Sequence, residues 1–230
     1  MRSAVIVFPG SNCDRDVAVA LQAASGRAPV MAWHKDTTLP EDLDLIVLPG
    51  GFSYGDYLRC GAIAAKSPIL REVIARARRG TRVLGICNGF QVLTETRLVP
   101  GALLENAGQR YICTDVHLRV DGADSDFARR YAEGQAITIP IAHHDGNYVV
   151  SEDDRKRLED TAQIAFRYCD AKGQVTPEAN PNGSVANIAG VFNRERTVLG
   201  MMPHPERLAD PAQGGTDGRP LFDSLVDALS

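Results

Sequence analysis

The sequence lacks several features that would point to particular classes of protein. Its 230 residues contain no apolar run near the roughly 20 residues that a membrane-spanning helix needs. The first residues hold one arginine followed by a short apolar stretch, which is not the pattern of a secretory signal peptide. The formal net charge of −4 gives no electrostatic reason to expect nucleic acid as a partner. We therefore expect a cytoplasmic protein that binds neither membrane nor nucleic acid.

Cysteine is scarce, and its pattern excludes two further classes of site. The five cysteines are an odd number, are widely spaced and include no CxxC pair. This spacing favours reduced thiols over a disulfide scaffold, and the absence of CxxC argues against a zinc ribbon or a thioredoxin-like site. Neither GxGxxG nor GxxxxGK followed by Ser or Thr is present. We expect no metal and no nucleotide cofactor in this chain.

The first hundred residues alternate between short apolar runs and segments with helical spacing. Apolar runs at 4–8, 30–33, 43–48 and 83–86 have the length of buried strands. Val17, Leu21 and Ala24 lie at near-helical spacing after Ser11 or Asn12, either of which can cap that helix, and Gly26 is a suitable end for it. Segments 69–79 and 91–97 are also compatible with helices, the first of them ending at Gly80. This alternation is typical of a parallel sheet covered by helices, in which ligands bind beyond the carboxyl ends of the strands.

The pattern changes after residue 99. Residues 111–120 alternate between apolar and polar side chains, which favours a half-buried antiparallel strand. Further β-like runs occur at 137–142, 148–150, 165–169, 185–192 and 198–202, and an amphipathic helix is predicted at 221–229. We predict an α/β fold: a three-layer, open, mostly parallel sheet with helices on both faces and some antiparallel strands in the second half. No linker or repeat interrupts residues 1–230, so we expect a single domain.

Segment 83–91 has the context of a nucleophile elbow. An apolar strand leads into Cys87, glycines stand two residues before and after it, and a predicted helix follows. The glycines permit a tight turn, and the start of the helix favours a thiolate. A lone cysteine is more often a buried structural residue, but the strand–turn–helix context favours a nucleophile here.

A cysteine nucleophile needs a base, and the base needs a group that orients it. His204 and Glu206 follow the apolar run 198–202 and are separated by one proline. Pro205 favours an extended backbone at His204, which would place the two side chains on the same side of the chain. The segment therefore predicts a Cys87–His204–Glu206 triad. For this motif alone, an exposed histidine beside a surface glutamate is about as good an interpretation.

Gly50 and Gly51 end another predicted strand. Their N–H groups, together with the N–H of Asn88, are candidates for an oxyanion hole. An ordinary turn is the alternative interpretation.

These motifs resemble a known family. Segment 85–91 reads Gly-Ile-Cys-Asn-Gly-Phe-Gln, similar to the G-x-C-x-G-x-Q signature of class I, triad-type glutamine amidotransferases, and His204-x-Glu206 matches their second signature. Segments 8–14, 49–59, 179–184 and 201–207 look like one branch of it, the glutaminase subunits of phosphoribosylformylglycinamidine synthases.

The resemblance implies that Cys87 attacks the side-chain amide of glutamine, with His204 as base and acid and Glu206 as its orienting group. It implies glutamine contacts from Gly51, Asn88, Gln91 and the region of Arg110 and Tyr111. The ammonia would pass to a separate synthetase subunit, which uses ATP and Mg²⁺ to convert formylglycinamide ribonucleotide to formylglycinamidine ribonucleotide in purine synthesis. A small third subunit usually completes such complexes.

One segment departs from the pattern implied by the resemblance. His144 and Asp145 stand where a glycine and a glutamate are expected, and the role of the loop 143–148 stays open, as does that of the loop 54–59. Adjacent histidines in a strand face opposite ways, so we expect no shared metal. The remaining cysteines, Cys13, Cys60, Cys113 and Cys169, are expected to be structural, by the usual burial of free thiols.

Other functions also fit parts of the sequence. The chain would be a glutaminase that feeds a GMP or CTP synthase, or a γ-glutamyl hydrolase, if the resemblance to one branch is misleading. A non-catalytic protein that senses oxidation through Cys87 is a candidate of another class. Such a sensor would not need His204 and Glu206 together downstream.

Overall fold

The strands form a nine-stranded sheet and a separate two-stranded sheet. The computed structural model describes residues 1–57 and 59–230. Leu58, part of the resemblance segment 49–59, lies outside the described residues. The strands are β1 (Ser3–Val7), β2 (Val30–Trp33), β3 (Leu45–Leu48), β4 (Arg82–Ile86), β5 (Ala102–Leu104), β6 (Ile112–Val120), β7 (Ala136–His143), β8 (Asn147–Val149), β9 (Ile164–Cys169), β10 (Ile188–Phe192) and β11 (Val198–Met201). The helices are α1 (Asp14–Ser25), α2 (Ile69–Arg78), α3 (Asn88–Glu95), α4 (Glu152–Asp160) and α5 (Arg219–Leu229).

The strands of the large sheet follow the order β2-β1-β3-β4-β11-β10-β9-β6-β7. The four pairings from β2 to β11 are parallel, and the four from β11 to β7 are antiparallel. This mixed sheet confirms the predicted α/β fold, with its parallel strands in the first half and its antiparallel strands in the second. β11 is the exception to that division, because it returns from the second half to pair in parallel with β4.

The central strands form the core of the sheet. Every residue of β3 is buried, as are the last four residues of β4. Strands that are covered on both faces need apolar side chains at every position, which explains the continuous apolar runs in the sequence. α3 packs against β3, β4 and β11, while α1 packs against β1 and α5.

Two elements were not predicted. α4 buries only Leu158, so it lacks the apolar stripe from which helices are recognised. It begins instead at a Ser151 cap that accepts from Asp154 N–H at 3.1 Å, and Arg155 pairs with both Glu152 and Glu159. β5 is three residues long and pairs with β8 in the two-stranded sheet.

The start of α1 also differs from expectation. Cys13, rather than Ser11 or Asn12, occupies the position before the helix, and no side chain caps it. Asp14 and Asp16 in the first turn supply the negative charge that favours a helix N-terminus. The end of α1 is as predicted, since Gly26 adopts a left-handed conformation with φ 69°.

The fold brings four chain segments to one edge of the sheet. β1, β3, β4 and β11 are neighbours and parallel, so their carboxyl ends meet there. Cys13, Gly50, Cys87 and His204 all follow these strands closely in the sequence. Within the residues described, no helix combines the length and the apolar character that crossing a bilayer requires.

Candidate active site

Cys87 lies at a strained turn between β4 and α3. Its backbone has φ 50° and ψ −106°, a region that residues with a side chain rarely adopt. Its N–H donates to the Met201 carbonyl at 2.8 Å, which fixes the turn to the neighbouring strand. The following glycine is required by packing, because a Cβ on Gly89 would overlap the carbonyl oxygen of Leu48. This is the predicted elbow, and only glycine at position 89 allows α3 to start so close to β3.

His204 and Glu206 form a buried pair beyond the end of β11. Glu206 Oε1 accepts a hydrogen bond from His204 Nδ1 at 2.7 Å. The main chain of His204 is fixed as well, since its N–H donates to the Pro140 carbonyl at 2.8 Å. His204 lies outside the helical region, with φ −105° and ψ 82°, as the following proline predicts. Residues Pro205–Arg207 then form a short 3₁₀ helix, so a turn, rather than a continued extended chain, brings the two side chains together.

The hydrogen bond to Glu206 decides which nitrogen of His204 is available. Because a carboxylate only accepts, Nδ1 carries the proton and the lone pair of the neutral ring is on Nε2. Nε2 is buried and has no aligned hydrogen-bond partner among the described residues. Cys87 Sγ makes a long contact, 3.8 Å, to the Ala142 carbonyl. Unaligned catalytic hydrogen bonds of this kind are common in proteins without substrate.

Three side chains converge on Gly50. A Cβ added to Gly50 would lie 2.7 Å from His204 Cε1, 3.2 Å from Cys13 Sγ and 3.4 Å from Cys87 Cβ. The predicted nucleophile and the predicted base are therefore neighbours around one point that carries no side chain. The fold brings together all three members of the predicted triad.

The charges around His204 favour its protonated form. Burial alone opposes protonation, but Glu206 and Cys87 outweigh it and raise the pKa of His204 well above its ordinary value. The position of Cys87 near the imidazole is part of the cause. An imidazole that readily takes a proton next to a thiol is the arrangement that activates a cysteine nucleophile.

Cys13 belongs to this site, which the sequence analysis did not foresee. It is buried, as expected of a structural thiol, but its sulfur lies within 4.8 Å of ligand atoms of both His204 and Glu206. Arg207 Nη2 donates to Cys13 Sγ at 3.1 Å and Arg207 Nε donates to Asp16 at 3.2 Å. The feature of the sequence that could have placed Cys13 in the site is its position just after β1, whose carboxyl end lies at the same edge of the sheet as Cys87.

Asn88 is held in a buried polar network behind the elbow. Its Oδ1 accepts from Ser53 N–H at 3.3 Å, and its Nδ2 donates to Asp56 at 3.1 Å and to Gln91 Oε1 at 2.8 Å. Gln91 in turn donates to the Asp145 carbonyl at 2.7 Å. The amide of Gln91 thus fixes Asn88 and the loop that carries Asp145.

The three remaining residues expected to contact glutamine, Gly51, Arg110 and Tyr111, lie in different environments. Gly51 has φ 138°, and a Cβ there would lie 2.7 Å from Asn12 N, so the turn after β3 needs glycine. Tyr111 is half exposed, and Cys87 is among the charges that act on its hydroxyl. The Arg110 carbonyl accepts from Asn106 at 2.8 Å, while its side chain is exposed.

The loop after β7 separates its two histidines. His143 is buried, and its Nδ1 lies 3.0 Å from Asn106 Oδ1, which also accepts from Gly146 N–H. Burial, together with the charge of His204, lowers the pKa of His143 to about 4. His144 is instead partly exposed, and its Nδ1 lies 3.2 Å from Asp145 Oδ2. The two histidines therefore have different environments, one buried and one open to solvent.

The other three cysteines lie outside the triad. Cys169 is buried in β9. Cys60 is partly buried, and this burial, followed by the charges of Asp56 and Asp145, raises the pKa of its thiol. Cys113 is exposed, so the expected burial was wrong for this residue.

A large groove of about 1010 Å³ lies away from the site. It is lined mostly by residues near Arg97, Arg157 and Arg194, and none of the triad residues lines it.

The geometry suits acyl transfer. The site contains the three parts needed to form and break a thioester. These are a thiol at a strained elbow, an imidazole held by a carboxylate through its Nδ1, and N–H groups at the start of α3.

Comparisons with known proteins agree with this chemistry. Residues 1–217 match the family described as the CobB/CobQ-like glutamine amidotransferase domain. The chain is 58% identical over 230 residues to a Roseobacter denitrificans protein named phosphoribosylformylglycinamidine synthase subunit PurQ, covering 100% of this chain and 99% of that protein. It is 55% identical to the Rhodospirillum rubrum protein of the same name, with 100% of both covered.

A solved structure is similar over the whole chain. A chain from the structure of PurLQS from Thermotoga maritima superposes with a TM-score of 0.87 at 42% identity, covering 100% of this chain and 99% of that one. The glutaminase domain of Trypanosoma brucei CTPS superposes with a TM-score of 0.59 at 16% identity, covering 100% of this chain and 95% of that one, a likeness of fold alone.

Proposed function

This chain belongs to the CobB/CobQ-like glutamine amidotransferase family, and we propose that it is the glutaminase subunit of a phosphoribosylformylglycinamidine synthase. It hydrolyses glutamine to glutamate and ammonia and passes the ammonia to an ATP-dependent synthetase subunit of de novo purine biosynthesis. Relatives with more than half of their residues identical over their full length carry this subunit's name. A GMP or CTP synthase subunit is less well supported, since the similarity to the CTPS glutaminase domain is confined to the fold.

The observation that carries the catalytic part is the convergence of Cys87 and His204 beside Gly50, with Glu206 hydrogen-bonded behind the imidazole. In the first step His204 takes the thiol proton as Cys87 attacks the amide carbon of glutamine. The same proton then passes to the nitrogen, which leaves as ammonia and gives a glutamyl thioester. In the second step His204 takes a proton from water, the hydroxide releases glutamate, and the proton returns to the sulfur.

Glu206 acts throughout on His204. It keeps the proton of Nδ1 in place, so Nε2 always faces the reacting atoms, and its negative charge stabilises the imidazolium that forms in each step.

The oxyanion is assigned to the N–H groups of Gly51 and Asn88. Asn88 is the first residue of α3, so its N–H has no partner within the helix and lies at the positive end of the helix dipole. The side-chain network from Ser53 to Gln91 holds that residue in position. We assign glutamine contacts also to Gln91, Arg110 and Tyr111, and the Tyr111 hydroxyl lies close enough to Cys87 and His204 for both to act on its pKa.

The partners of this function are glutamine, the synthetase subunit and a small third subunit. The similar Thermotoga maritima chain comes from a structure described as PurLQS, which supports an assembly of three kinds of subunit. ATP and Mg²⁺ act on the synthetase subunit, and this chain needs no cofactor for thioester chemistry. We propose that residues 1–230 form one glutamine amidotransferase domain, since a single sheet contains strands from both halves of the chain. We also propose a cytoplasmic location, which agrees with the purine-synthesis subunit name of the relatives.

The function is tested by reconstitution. The chain is mixed with a phosphoribosylformylglycinamidine synthetase subunit, its small partner, ATP and formylglycinamide ribonucleotide, and amide transfer from ¹⁵N-glutamine is followed by mass spectrometry. We expect ¹⁵N in the amidine product with wild-type chain and none with Cys87→Ser. Parallel reactions with GMP and CTP synthetase subunits should give no labelled product, and transfer to either one would replace the proposed partner.

A further inference from the structure

We propose that the cleft also binds a thiophilic divalent cation, Zn²⁺, through Cys13, Cys87 and His204, and that the bound cation blocks the enzyme reversibly. Inhibition rests on the proposed function, because it is read from glutaminase activity. Binding does not, since it needs only these three side chains.

The donor atoms have the composition of a zinc site. The Cys13 sulfur, one ring nitrogen of His204 and a carboxylate oxygen of Glu206 lie within 4.8 Å of one another, and all three residues are buried. Cys87 adds a second sulfur close to the same imidazole. Two thiolates and an imidazole form a soft donor set that selects Zn²⁺ over Mg²⁺ or Ca²⁺.

His204 presents the correct nitrogen. Its Nδ1 is hydrogen-bonded to Glu206 at 2.7 Å, while its Nε2 is buried and has no aligned partner among the described residues. Histidine ligands of zinc usually donate their other ring N–H to a carboxylate, which fixes the ring and makes the free nitrogen more basic. The pair that orients the catalytic base therefore also has the form of a zinc ligand with its supporting carboxylate.

The three proposed ligands surround a point beside Gly50 that no side chain occupies. The position of an added Cβ on Gly50 lies 2.7 Å from His204 Cε1, the carbon next to Nε2, and 3.2 Å and 3.4 Å from Cys13 Sγ and Cys87 Cβ. Zinc binding through these residues requires the sulfurs of Cys13 and Cys87 to turn toward this point and toward Nε2. Three protein ligands leave a fourth position for water, as in open zinc sites.

A hydrogen bond from a cation acts on Cys13. Arg207 Nη2 donates to the Cys13 sulfur at 3.1 Å, and a charge-assisted hydrogen bond of this kind stabilises the thiolate that a zinc ligand must be. On zinc binding each sulfur forms a Zn–S bond and releases its proton to solvent, and nothing is oxidised or reduced. The added charge of Zn²⁺ is offset by the two thiolates.

A cation held in this way stops catalysis. The sulfur lone pair of Cys87 and the lone pair of His204 Nε2, which the thioester reaction needs, are both used as ligands. Cys13 is then a specificity element, because the other two ligands alone are those of any thiol enzyme.

The experiment measures zinc binding and glutaminase activity separately. The full chain, kept reduced with a phosphine, is titrated with Zn²⁺ against a chromophoric chelator, and Co²⁺ is added as a spectroscopic probe of sulfur ligation. We expect one tight site with a thiolate-to-cobalt absorption band. Because ligand loss should cost at least as much as loss of a supporting residue, Cys13→Ser and Cys87→Ser should each weaken zinc binding by at least about tenfold.

Cys169→Ser is the matched control, because Cys169 is also a buried free thiol but lies outside the site. It should bind zinc within about twofold of wild type, a change too small to represent a lost ligand. Cys60→Ser should behave in the same way, and loss of zinc binding in that variant would move the site to Cys60, Asp56 and Asp145 and overturn the proposal. Unchanged zinc binding in Cys13→Ser would overturn it equally.

Measurements of glutaminase activity with and without zinc then distinguish a failure of this proposal from a failure of the proposed function. Zinc should inhibit the reconstituted complex, a chelator should restore it, and Cys13→Ser should need at least about tenfold more zinc for half-inhibition relative to its own zinc-free rate. Zinc binding without any glutaminase activity would reject the proposed function alone. If Cys13→Ser does not fold, alkylation of wild type decides: one equivalent of Zn²⁺ should protect Cys13 and Cys87 from iodoacetamide but leave exposed Cys113 reactive.

Discussion

Glu206 Oε1 lies 2.7 Å from His204 Nδ1, and both residues are only 1% exposed. A buried hydrogen bond between an imidazole and a carboxylate fixes the tautomer, the ring orientation and the local charge together. The predictions below start from this pair and from the residues that surround it.

The two residues of this pair should differ in importance. We expect His204→Ala to lower kcat for glutamine hydrolysis by about 10³-fold, since the proton acceptor is lost, and Glu206→Gln by a smaller factor, since only its orientation is weakened. Steady-state ammonia release from the reconstituted complex measures both. Wild-type rates in either variant would contradict the triad.

Cys87 should be the thiol that reacts with glutamine analogues. A glutamine-like electrophile that alkylates nucleophiles in the glutamine site should label wild-type chain at Cys87 alone, because only this thiol lies at the elbow. Labelling, read by mass spectrometry of peptides, should disappear in Cys87→Ala and persist in Cys169→Ala. Uniform labelling of all five thiols would favour a general redox-sensitive protein.

Gly50 should be required for activity rather than for folding. The new Cβ of Gly50→Ala would lie 2.7 Å from His204 Cε1 and push the imidazole aside. Displacement of a catalytic group by about 1 Å costs roughly 10²-fold, and we expect a loss of kcat of this order. Gly108→Ala is the matched control, because nothing lies within 4 Å of its added Cβ. Equal activity of the two variants would show that His204 tolerates the contact.

His143 should make the protein less stable in acid. Its folded-state pKa is lowered to about 4 from 6.5, so between these values the unfolded state binds more protons and stability falls as pH decreases. Between pH 7.5 and pH 5 the titration of His143 alone should lower the free energy of unfolding by about 2 kcal/mol. Urea unfolding of wild type and His143→Gln at both pH values tests it: the stability difference between them should change by that amount. A constant difference would mean that His143 titrates normally.

The isolated chain should hydrolyse glutamine poorly. Phe52 and Tyr111, whose rings lie 6.5 Å apart, are both exposed beside the cleft, as expected of a surface that a partner completes. Addition of the synthetase subunit with ATP and its nucleotide substrate should raise ammonia release by at least about tenfold, within the usual range of coupling between sites. Full activity of the chain alone would contradict this.

The sequence predicted the elements whose evidence is local. β2 was predicted at the bounds that the structure has, and the elbow at Cys87 follows from an apolar strand, two glycines and a helix within a few residues. The contact of His204 with Glu206 was also predictable, because residues two apart can meet in several backbone conformations. The conformation itself was not, since a 3₁₀ turn follows His204 in place of a continued extended chain.

Elements without an apolar pattern escaped prediction. α4 is held by its Ser151 cap and by ion pairs of Arg155, and β5 depends on its pairing with β8. Such local polar contacts leave little periodic signal in a single sequence.

The amino-acid sequence by itself determined the alternation of strands and helices, the strained turn at Cys87 and the family to which the chain belongs, because each depends on neighbours in the chain. Only the tertiary structure decided that Cys13 lies against His204 and that Asn88 is fixed by Ser53, Asp56 and Gln91. Both depend on strand order: β11 inserts beside β4, and β1 lies two strands from β4. Strand order is a property of the whole sheet, set by the packing of distant segments, and no short stretch of sequence contains it.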